Sequence, residues 1–415
     1  MVAEKDNKEK KQPCILQILP ELKSGGVERG TIEIARALVR NNYRAIVASS
    51  GGPMAAYLNN IKAIHIELPL ASKNPITMFR NIKRIKKIIK EYDIDIVHAR
   101  SRAPAWSAYF ACKDIPCHFM TTFHGTHKFA NNLKKKYNSI MAKGEKIIAV
   151  SNFIKKHITD NYLLDERNIT VIQRGVDTEQ FDMDKVTEQR MIEVAKKIGI
   201  EHDRFVILLP GRITRWKGHE FLLDALYKIR KNNKSSKFLC LFVGDHEKHP
   251  NYCNDLRNKI KEYNMERYVR IAGNVSDMPT LYSMVDLVVS ASLEPEAFGR
   301  VAIEAQAMGR MLIATNHGGS CETVIDGETG WLVEPGNVDQ LANAINKALN
   351  IQGRTRKSMA SNAKKHVYEN FSLEKMSKKT IDVYDSLLAE EKPSKEPEKK
   401  SKSKKIAQNE KENAK

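Results

Sequence analysis

Paired cysteines, long apolar runs and a dinucleotide glycine fingerprint are all missing from this 415-residue chain. Its six cysteines (Cys14, Cys112, Cys117, Cys240, Cys253, Cys321) are scattered, with no CxxC pair and no His-rich metal spacing. That disfavours a disulfide framework and suits a reducing, cytoplasmic setting. No apolar run approaches the ~20 residues needed to span a bilayer. The opening MVAEKDNKEKKQP is charged but has no apolar h-region, so it does not read as a secretory signal. SGGVERG, after the first apolar run, misses the G-x-G-x-x-G spacing. The second run ends in Ser49-Ser50 without a ribose-binding acid, which argues against a nicotinamide-dependent enzyme.

What the chain has in excess is positive charge, +19 at neutral pH. Such a balance points to an anionic partner: nucleic acid, a membrane surface or a phosphate-bearing substrate. A Lys/Asn/Ile-rich genome accounts for the same composition equally well. The length exceeds one ordinary core and suits two domains. CILQILP reads as a buried strand, VERGTIEIARALVRNN as an amphipathic helix and YRAIVASS as a second strand. PITMFRNIKRIKKIIKEY follows as a helix, with Ile76, Phe79, Ile82, Ile85 and Ile89 at helical spacing. Strand–helix alternation runs on, pauses near residues 176–203, and restarts at FVILLPGR. The expected architecture is α/β: two doubly wound, Rossmann-like sheets in tandem, facing across a cleft. The expected boundaries are a disordered leader (1–13), an N-terminal domain (14–180), a linker (181–203), a C-terminal domain (204–371), a closing helix (372–390) and a disordered Lys/Glu-rich tail (391–415).

Two stretches carry the chemistry. In GRITRWKG, Gly211 lets the chain leave a strand, and Arg212 and Lys217 then project from the strand-end loop. Two cations so placed can clamp a diphosphate, Arg as a planar fork and Lys as a point charge. In SLEPEAFGRVAIEAQAMGR, Glu296 lies in a loop and Glu304 two turns into the following helix, so the pair faces one cleft from different elements. The amides of that helix start can bind an anion. Glu294, before Pro295, reads as a surface carboxylate.

Together, Glu296-AFGRVAI-Glu304 and GRITRWKG resemble the retaining, nucleotide-sugar-dependent glycosyltransferases of family 4, which have the GT-B fold. GGVERG, TTFHGTH, VSNFIKKHI, RGVDTEQF, AGNVSDMPTLY and HGGSCETVIDGETGWLVEPGN extend the resemblance over roughly residues 14 to 389. It implies a donor site on the C-terminal domain and an acceptor site on the N-terminal one. By the same resemblance, Arg212 and Lys217 neutralise the departing diphosphate, with Gly211 shaping their loop. The backbone of Phe298, Gly299 and Arg300 supports the donor. Glu304 accepts from the ribose hydroxyls, Glu296 binds the donor sugar near the reacting face, and His124 contacts that sugar from the other domain. Gly25 and Gly26 let the N-terminal loop approach phosphate or acceptor, and Gly318, Gly319 and Glu322 form a further loop with a weaker claim on the sugar. No cofactor and no metal are implied, only a UDP- or GDP-linked sugar as substrate.

Asp93-Ile-Asp95 and Asp182-Met-Asp184 match DxD, the metal signature of a different glycosyltransferase fold, but they sit at a strand start and in the linker and read as polar boundaries. His246, His249 and Cys253 lack a second ligand pair and read as a loop. The helix at 75–91 carries Lys83, Arg84, Lys86, Lys87 and Lys90 around its apolar stripe, and 128–144 is a second basic segment. The first fits a sheet-covering helix with a solvated face and fits a membrane surface nearly as well, and the second follows His124 in the same domain. The function these features support is transfer of a hexosyl group to a lipid-linked or lipopolysaccharide-core saccharide, in the cytoplasm or peripherally on the inner face of the plasma membrane. The alternatives are a nucleotide-sugar epimerase on the same fold and a basic nucleic-acid- or membrane-binding protein without catalysis. The chain carries no RNA-binding signature that favours specific nucleic-acid recognition.

Overall fold

The structure is a computed structural model that describes residues 11–392 except 24, 128, 130, 201, 202 and 246. Residues 1–10 of the expected leader, the tail from 393 and His246 lie outside the described residues. Two parallel sheets account for the two halves of the sequence alternation. The first comprises β1 (Cys14–Ile18), β2 (Arg44–Ser49), β3 (Ile64–Glu67), β4 (Ile96–Ala99), β5 (His118–Phe123), β6 (Ile147–Ala149) and β7 (Ile169–Val171), in the order β3-β2-β1-β4-β5-β6-β7. The second comprises β8 (Phe205–Pro210), β9 (Phe238–Val243), β10 (Val269–Gly273), β11 (Leu287–Ser290), β12 (Met311–Thr315) and β13 (Trp331–Val333), in the order β10-β9-β8-β11-β12-β13. Every strand pairing is parallel. Central strands such as β1 and β9 are buried along their whole length, which is why they read as unbroken apolar runs rather than as alternations.

Strand order reverses between β1 and β4 in the first sheet, and between β8 and β11 in the second. At such a switch point the connections leave to opposite faces and open a crevice at the C-terminal strand ends. The loop after β8 is GRITRWKG and the loop after β11 is SLEPEAFG, so topology alone delivers both motifs to one crevice.

The helix Gly353–Asn370 packs on the C-terminal domain, and Phe371 meets Phe298 edge-on at 5.7 Å between ring centroids. The helix Leu373–Leu388 then returns to the first sheet. Met376, Ile381, Val383, Tyr384 and Leu387 are buried there with Ile15, Ile34 and Val47. Tyr384 is fully buried, and its hydroxyl lies 2.7 Å from His98 Nδ1, while His98 Nε2 lies 2.7 Å from the Thr122 hydroxyl. The helix Glu188–Ile198, which precedes the second sheet in the chain, buries Val194 and Ile198, and its Arg190 holds Asp277 through two bonds of 2.7 and 2.9 Å.

The helix Pro75–Glu91 only half follows its sequence pattern. Ile85, Ile88 and Ile89 are buried, but Ile76 and Phe79 in its first two turns are each 63% exposed. Its apolar stripe runs past the sheet it covers. Among the described residues no helix is long and apolar enough to cross a membrane.

Replacing Tyr384 by Phe leaves the His98 ring nitrogen buried without its partner. The expected cost is about 1–3 kcal/mol, read by urea denaturation, with nucleotide binding unchanged because the pair lies away from the crevice.

Candidate active site

The crevice between the sheets is divided into two connected chambers. One, of about 500 Å³, is lined by Lys217 and Arg212 from the loop after β8, by Glu296 to Val301, and by His124 and Arg174 from the N-terminal domain. The other, of about 250 Å³, is lined by Glu304, Tyr282, Arg29, Gly25 and Gly244. Gly26, Gly211, Arg300 and Val301 border both.

Local backbone conformation sets the first chamber. Gly218 ends the loop after β8 in the left-handed region (φ 74°), and a Cβ there would lie 1.9 Å from the Ala291 carbonyl oxygen. Only glycine lets this loop press against the end of β11, and that contact brings Lys217 to Glu296. Lys217 Nζ donates to Glu296 Oε1 at 2.5 Å, and the Ser292 hydroxyl donates to the same oxygen at 2.6 Å. Burial would raise the Glu296 carboxyl, but Lys217 by charge and hydrogen bond, then Ser292 and His317, outweigh it and hold the group below the usual carboxylate range. Lys217 also lies 4.3 Å from the centre of the Trp216 ring. Gly299, again left-handed (φ 89°), starts the helix Arg300–Ala307, whose first residues line the chamber.

Glu304 lies in the second chamber, with only 10% of its side chain exposed. Its oxygens meet Tyr282 Oη at 3.2 Å, Arg300 Nε at 3.4 Å and Arg29 Nη1 at 3.5 Å. Arg300 reaches on across the domain boundary to Glu33, with contacts of 3.1 and 3.4 Å. Arg174 approaches Glu33 from the other side at 3.6 Å and donates to the Gly26 carbonyl at 2.9 Å. Burial would raise the Glu33 carboxyl; Arg300 and Arg174 overcome it and keep the group ionised. Burial lowers the Arg174 guanidinium to about 9.

His124 borders the first chamber, its Nε2 buried with no hydrogen-bond partner. Burial, with Arg100 and Arg174 nearby, pushes the ring well below the usual 6.5, so it is neutral at pH 7. A neutral ring with a free buried nitrogen is suited to a hydroxyl group. Phe298 also lines the chamber while packing into the core.

The structure therefore brings Glu296, Arg212, Lys217, His124, Phe298, Gly299, Arg300, Gly211, Gly26, Gly25 and Glu304 to one crevice. Glu294 borders it too, at the exposed rim. The weaker trio is placed differently. The Gly319 amide donates to the Glu296 carbonyl at 2.8 Å, and Gly318 packs against the same backbone, so these glycines buttress the loop. Glu322 points to the other domain, where it accepts from the Asn152 and Phe153 amides at 2.9 and 2.8 Å and caps the helix Asn152–Asn161. Arg29, Glu33, Arg174 and Tyr282 were not anticipated. Arg29 and Glu33, four residues apart on a helix, look like an ordinary surface pair. Arg174 did have a signal, since it follows β7 in a strand-end loop, as Arg212 follows β8. The DxD carboxylates are structural: Asp95 accepts from the Cys14 amide at 2.8 Å, and Asp182 caps a short turn. Among the described residues no group of three or more His, Cys, Asp or Glu side chains is placed to hold a metal ion.

Two doubly wound domains, with cations and paired carboxylates in the crevice between them, define a GT-B glycosyltransferase. The family model described as Glycosyltransferase Family 4 matches residues 24–180, and that described as Glycosyl transferases group 1 matches residues 191–366. A crystal structure of a glycosyltransferase from Rickettsia africae is 44% identical, with a TM-score of 0.84 over 91% of this chain and 99% of that one. The chain belongs to glycosyltransferase family 4. The Escherichia coli UDP-Gal:alpha-D-GlcNAc-diphosphoundecaprenol alpha-1,3-galactosyltransferase is 25% identical over 385 residues, 89% of this chain and 95% of that protein. Anabaena HepE, crystallised with UDP-glucose, shares the fold at 22% identity, with a TM-score of 0.77 over 90% of this chain and 99% of that one.

Removing the Glu33 carboxylate takes from buried Arg174 its carboxylate partner and leaves Arg300 with Glu304 alone. Glu33→Ala is expected to destabilise by about 3–5 kcal/mol, measured by denaturant titration at pH 7. The folded-state pKa of Glu33 is depressed, so its contribution is present above the unfolded value of about 4.3 and lost as pH falls through the folded one. The deficit of the variant should therefore shrink below about pH 4.

Proposed function

We propose that this protein is a retaining, metal-independent hexosyltransferase that takes its sugar from a nucleotide-diphosphate donor and delivers it to a lipid-linked saccharide. One observation carries the reading: the crevice has two connected chambers, with Glu296 in one, Glu304 in the other and the cations Arg212, Lys217 and Arg300 lining the chamber walls. A nucleotide sugar has the matching sequence of groups. Glu304 accepts from the ribose hydroxyls, the cations meet the diphosphate, and Glu296 accepts from the donor-sugar hydroxyls. Lys217 has three N–H donors, so it can keep its bond to Glu296 and still meet a phosphate oxygen. In transfer, the bond from the anomeric carbon to the diphosphate oxygen breaks and its electron pair leaves with the phosphate. The acceptor oxygen bonds to the same face, and its proton passes to the departing phosphate. Arg212 and Lys217 stabilise the charge that develops there. Neutral His124 donates to or accepts from a donor-sugar hydroxyl.

A UDP-linked donor and a diphosphate-lipid acceptor are supported by the relation to the E. coli galactosyltransferase, whose name states both for that enzyme. The excess of basic residues, and those of the helix Pro75–Glu91 in particular, suits work at an anionic membrane surface, on the cytoplasmic face where nucleotide sugars are made.

Glu304→Ala is expected to weaken UDP or GDP binding by about tenfold or more, as for other lost hydrogen bonds to a buried charge. Calorimetry that finds both affinities unchanged removes the ribose role. Arg212→Ala and Lys217→Ala should lower kcat by about 10²-fold each, with a smaller change in KM, because the charge they meet grows in the transition state. Steady-state kinetics with wild-type turnover in both variants would contradict the diphosphate assignment.

A further inference from the structure

Away from the crevice, the N-terminal domain carries a second cavity of about 420 Å³, within the range that holds small ligands. It lies between the helices Pro75–Glu91 and Arg102–Cys112 and the helix Asn132–Asn138, and its walls are apolar: Met78, Phe79, Ile82, Trp106, Phe110 and Tyr137. Its shape has a structural cause. The Ser107 hydroxyl bonds to the Met78 carbonyl at 2.9 Å and holds the first two helices together at that level. The Trp106 indole N–H donates to the Tyr137 carbonyl at 3.1 Å, so the one polar atom of the ring faces away. Trp106 then stacks between Phe110 and Tyr137, at centroid distances of 6.1 and 6.4 Å, as a floor of three aromatic rings. Phe79 stands 63% exposed on the wall and Phe110 is 42% exposed. Leu133, one helical turn before Tyr137 on the same face, is 79% exposed and prolongs the apolar surface.

The surroundings are predominantly cationic. Residues 68–90 and 115–144 contain no Asp or Glu, and the acidic residues that border the helices, Glu91 at the end of the first and Asp114 after the second, stand against seven Lys or Arg in 73–90 and five Lys in 128–143. Lys73 lines the cavity, Lys83 follows Phe79 by one turn, and Lys134, Lys135 and Lys136 precede Tyr137. An apolar slot with an aromatic floor and a predominantly cationic rim is complementary to one kind of molecule: a hydrocarbon chain that ends in an anionic headgroup.

We propose that this groove binds the proximal hydrocarbon of the lipid phosphate or diphosphate that carries the acceptor saccharide, with the Lys-rich rim meeting its headgroup. This inference rests on the lipid-linked reading given above and supplies the site for it. The connection to the crevice is short along the chain. The segment that begins at His124 leads into the helix Asn132–Asn138, and Asn138 donates to the His127 carbonyl at 2.6 Å while accepting from Arg102 at 2.8 Å. A chain seated beside Tyr137 thus hangs its headgroup and saccharide from the segment that also presents His124.

The test uses the full-length protein and farnesyl phosphate, below its micelle concentration, as probe. Calorimetry should find one saturable site per chain, with inorganic phosphate failing to displace it. Phe79→Ser, at a largely exposed position that the fold does not need, should weaken the probe about tenfold, in keeping with the loss of a large apolar side chain, and leave UDP binding unchanged. Lys83→Glu should weaken the probe as well. Equal affinity in Phe79→Ser, or displacement by inorganic phosphate alone, would overturn the groove. So would co-sedimentation with phosphatidylglycerol vesicles that Phe79→Ser leaves intact, with no farnesyl phosphate bound, because the cations would then serve flat adsorption. Turnover separates this inference from the reading beneath it. With a diphosphate-lipid saccharide, Phe79→Ser should raise KM about tenfold, and with the same saccharide on a short soluble aglycone it should not. If lipid-linked saccharides are used but the variant changes nothing, the groove is wrong and the reading stands. If the probe binds the groove but no lipid-linked saccharide is glycosylated, the reading fails and the lipid site stands.

Discussion

The structure depends on Arg300. It stands at the first position of a helix in the C-terminal domain and is held at once by Glu304 of its own helix and by Glu33 of the other domain. Arg29 and Arg174 complete the group, so three guanidinium groups share two carboxylates in a largely water-excluded seam. Such an arrangement tolerates desolvation only because each charge has an opposite neighbour. It also leaves a surplus of positive charge, increased by buried Arg100, whose partner is the neutral Gln17 amide. A seam that joins two domains and remains cationic is suited to close around an anion. The same groups that hold the domains in register line the crevice.

Parallel topology puts the seam where it is. Each sheet reverses its strand order once, and the connections on either side of that reversal are the loops that carry the side chains of the crevice. Glycines without freedom to be anything else then bring those loops within contact of one another, Gly218 against β11 being the clearest instance. Other contacts across the boundary are structural, namely the Glu322 cap on the helix Asn152–Asn161 and the Ser151 hydroxyl on the Ala297 carbonyl at 2.6 Å. The closing helix reinforces them by carrying the chain from the second domain back onto the first, with Tyr384 anchored on His98.

Much of this was legible in the chain. Apolar runs bounded by turn residues marked the strands, because strands covered on both faces need no polar alternation. That GRITRWKG and the Glu296/Glu304 stretch line one crevice was legible because each motif is contiguous and lies after a strand. Glu33 was not, because its partner Arg300 lies 267 residues away in the opposing domain, and the place of Arg174 after a strand did not disclose that Glu33, far off in the same domain, would be its partner. Glu322 had the look of a ligand group and is a helix cap, a distinction that depends on which amides happen to face it. The basic helix at 75–91 was ambiguous between sheet cover and membrane surface. The structure shows why a single label does not fit: Ile85, Ile88 and Ile89 cover the sheet, while Ile76 and Phe79 face outward.

The sequence by itself determined the alternation of strands and helices, the two-domain architecture and the two motifs that meet in the crevice, since each follows from local pattern and short spacing. Only the tertiary structure decided which carboxylates are clamps, which are caps and which line the crevice, and that three helices leave an aromatic slot among lysines. Those outcomes depend on the burial and mutual distance of residues far apart in the chain, and electrostatic partnership, unlike periodicity, leaves no mark on neighbouring positions.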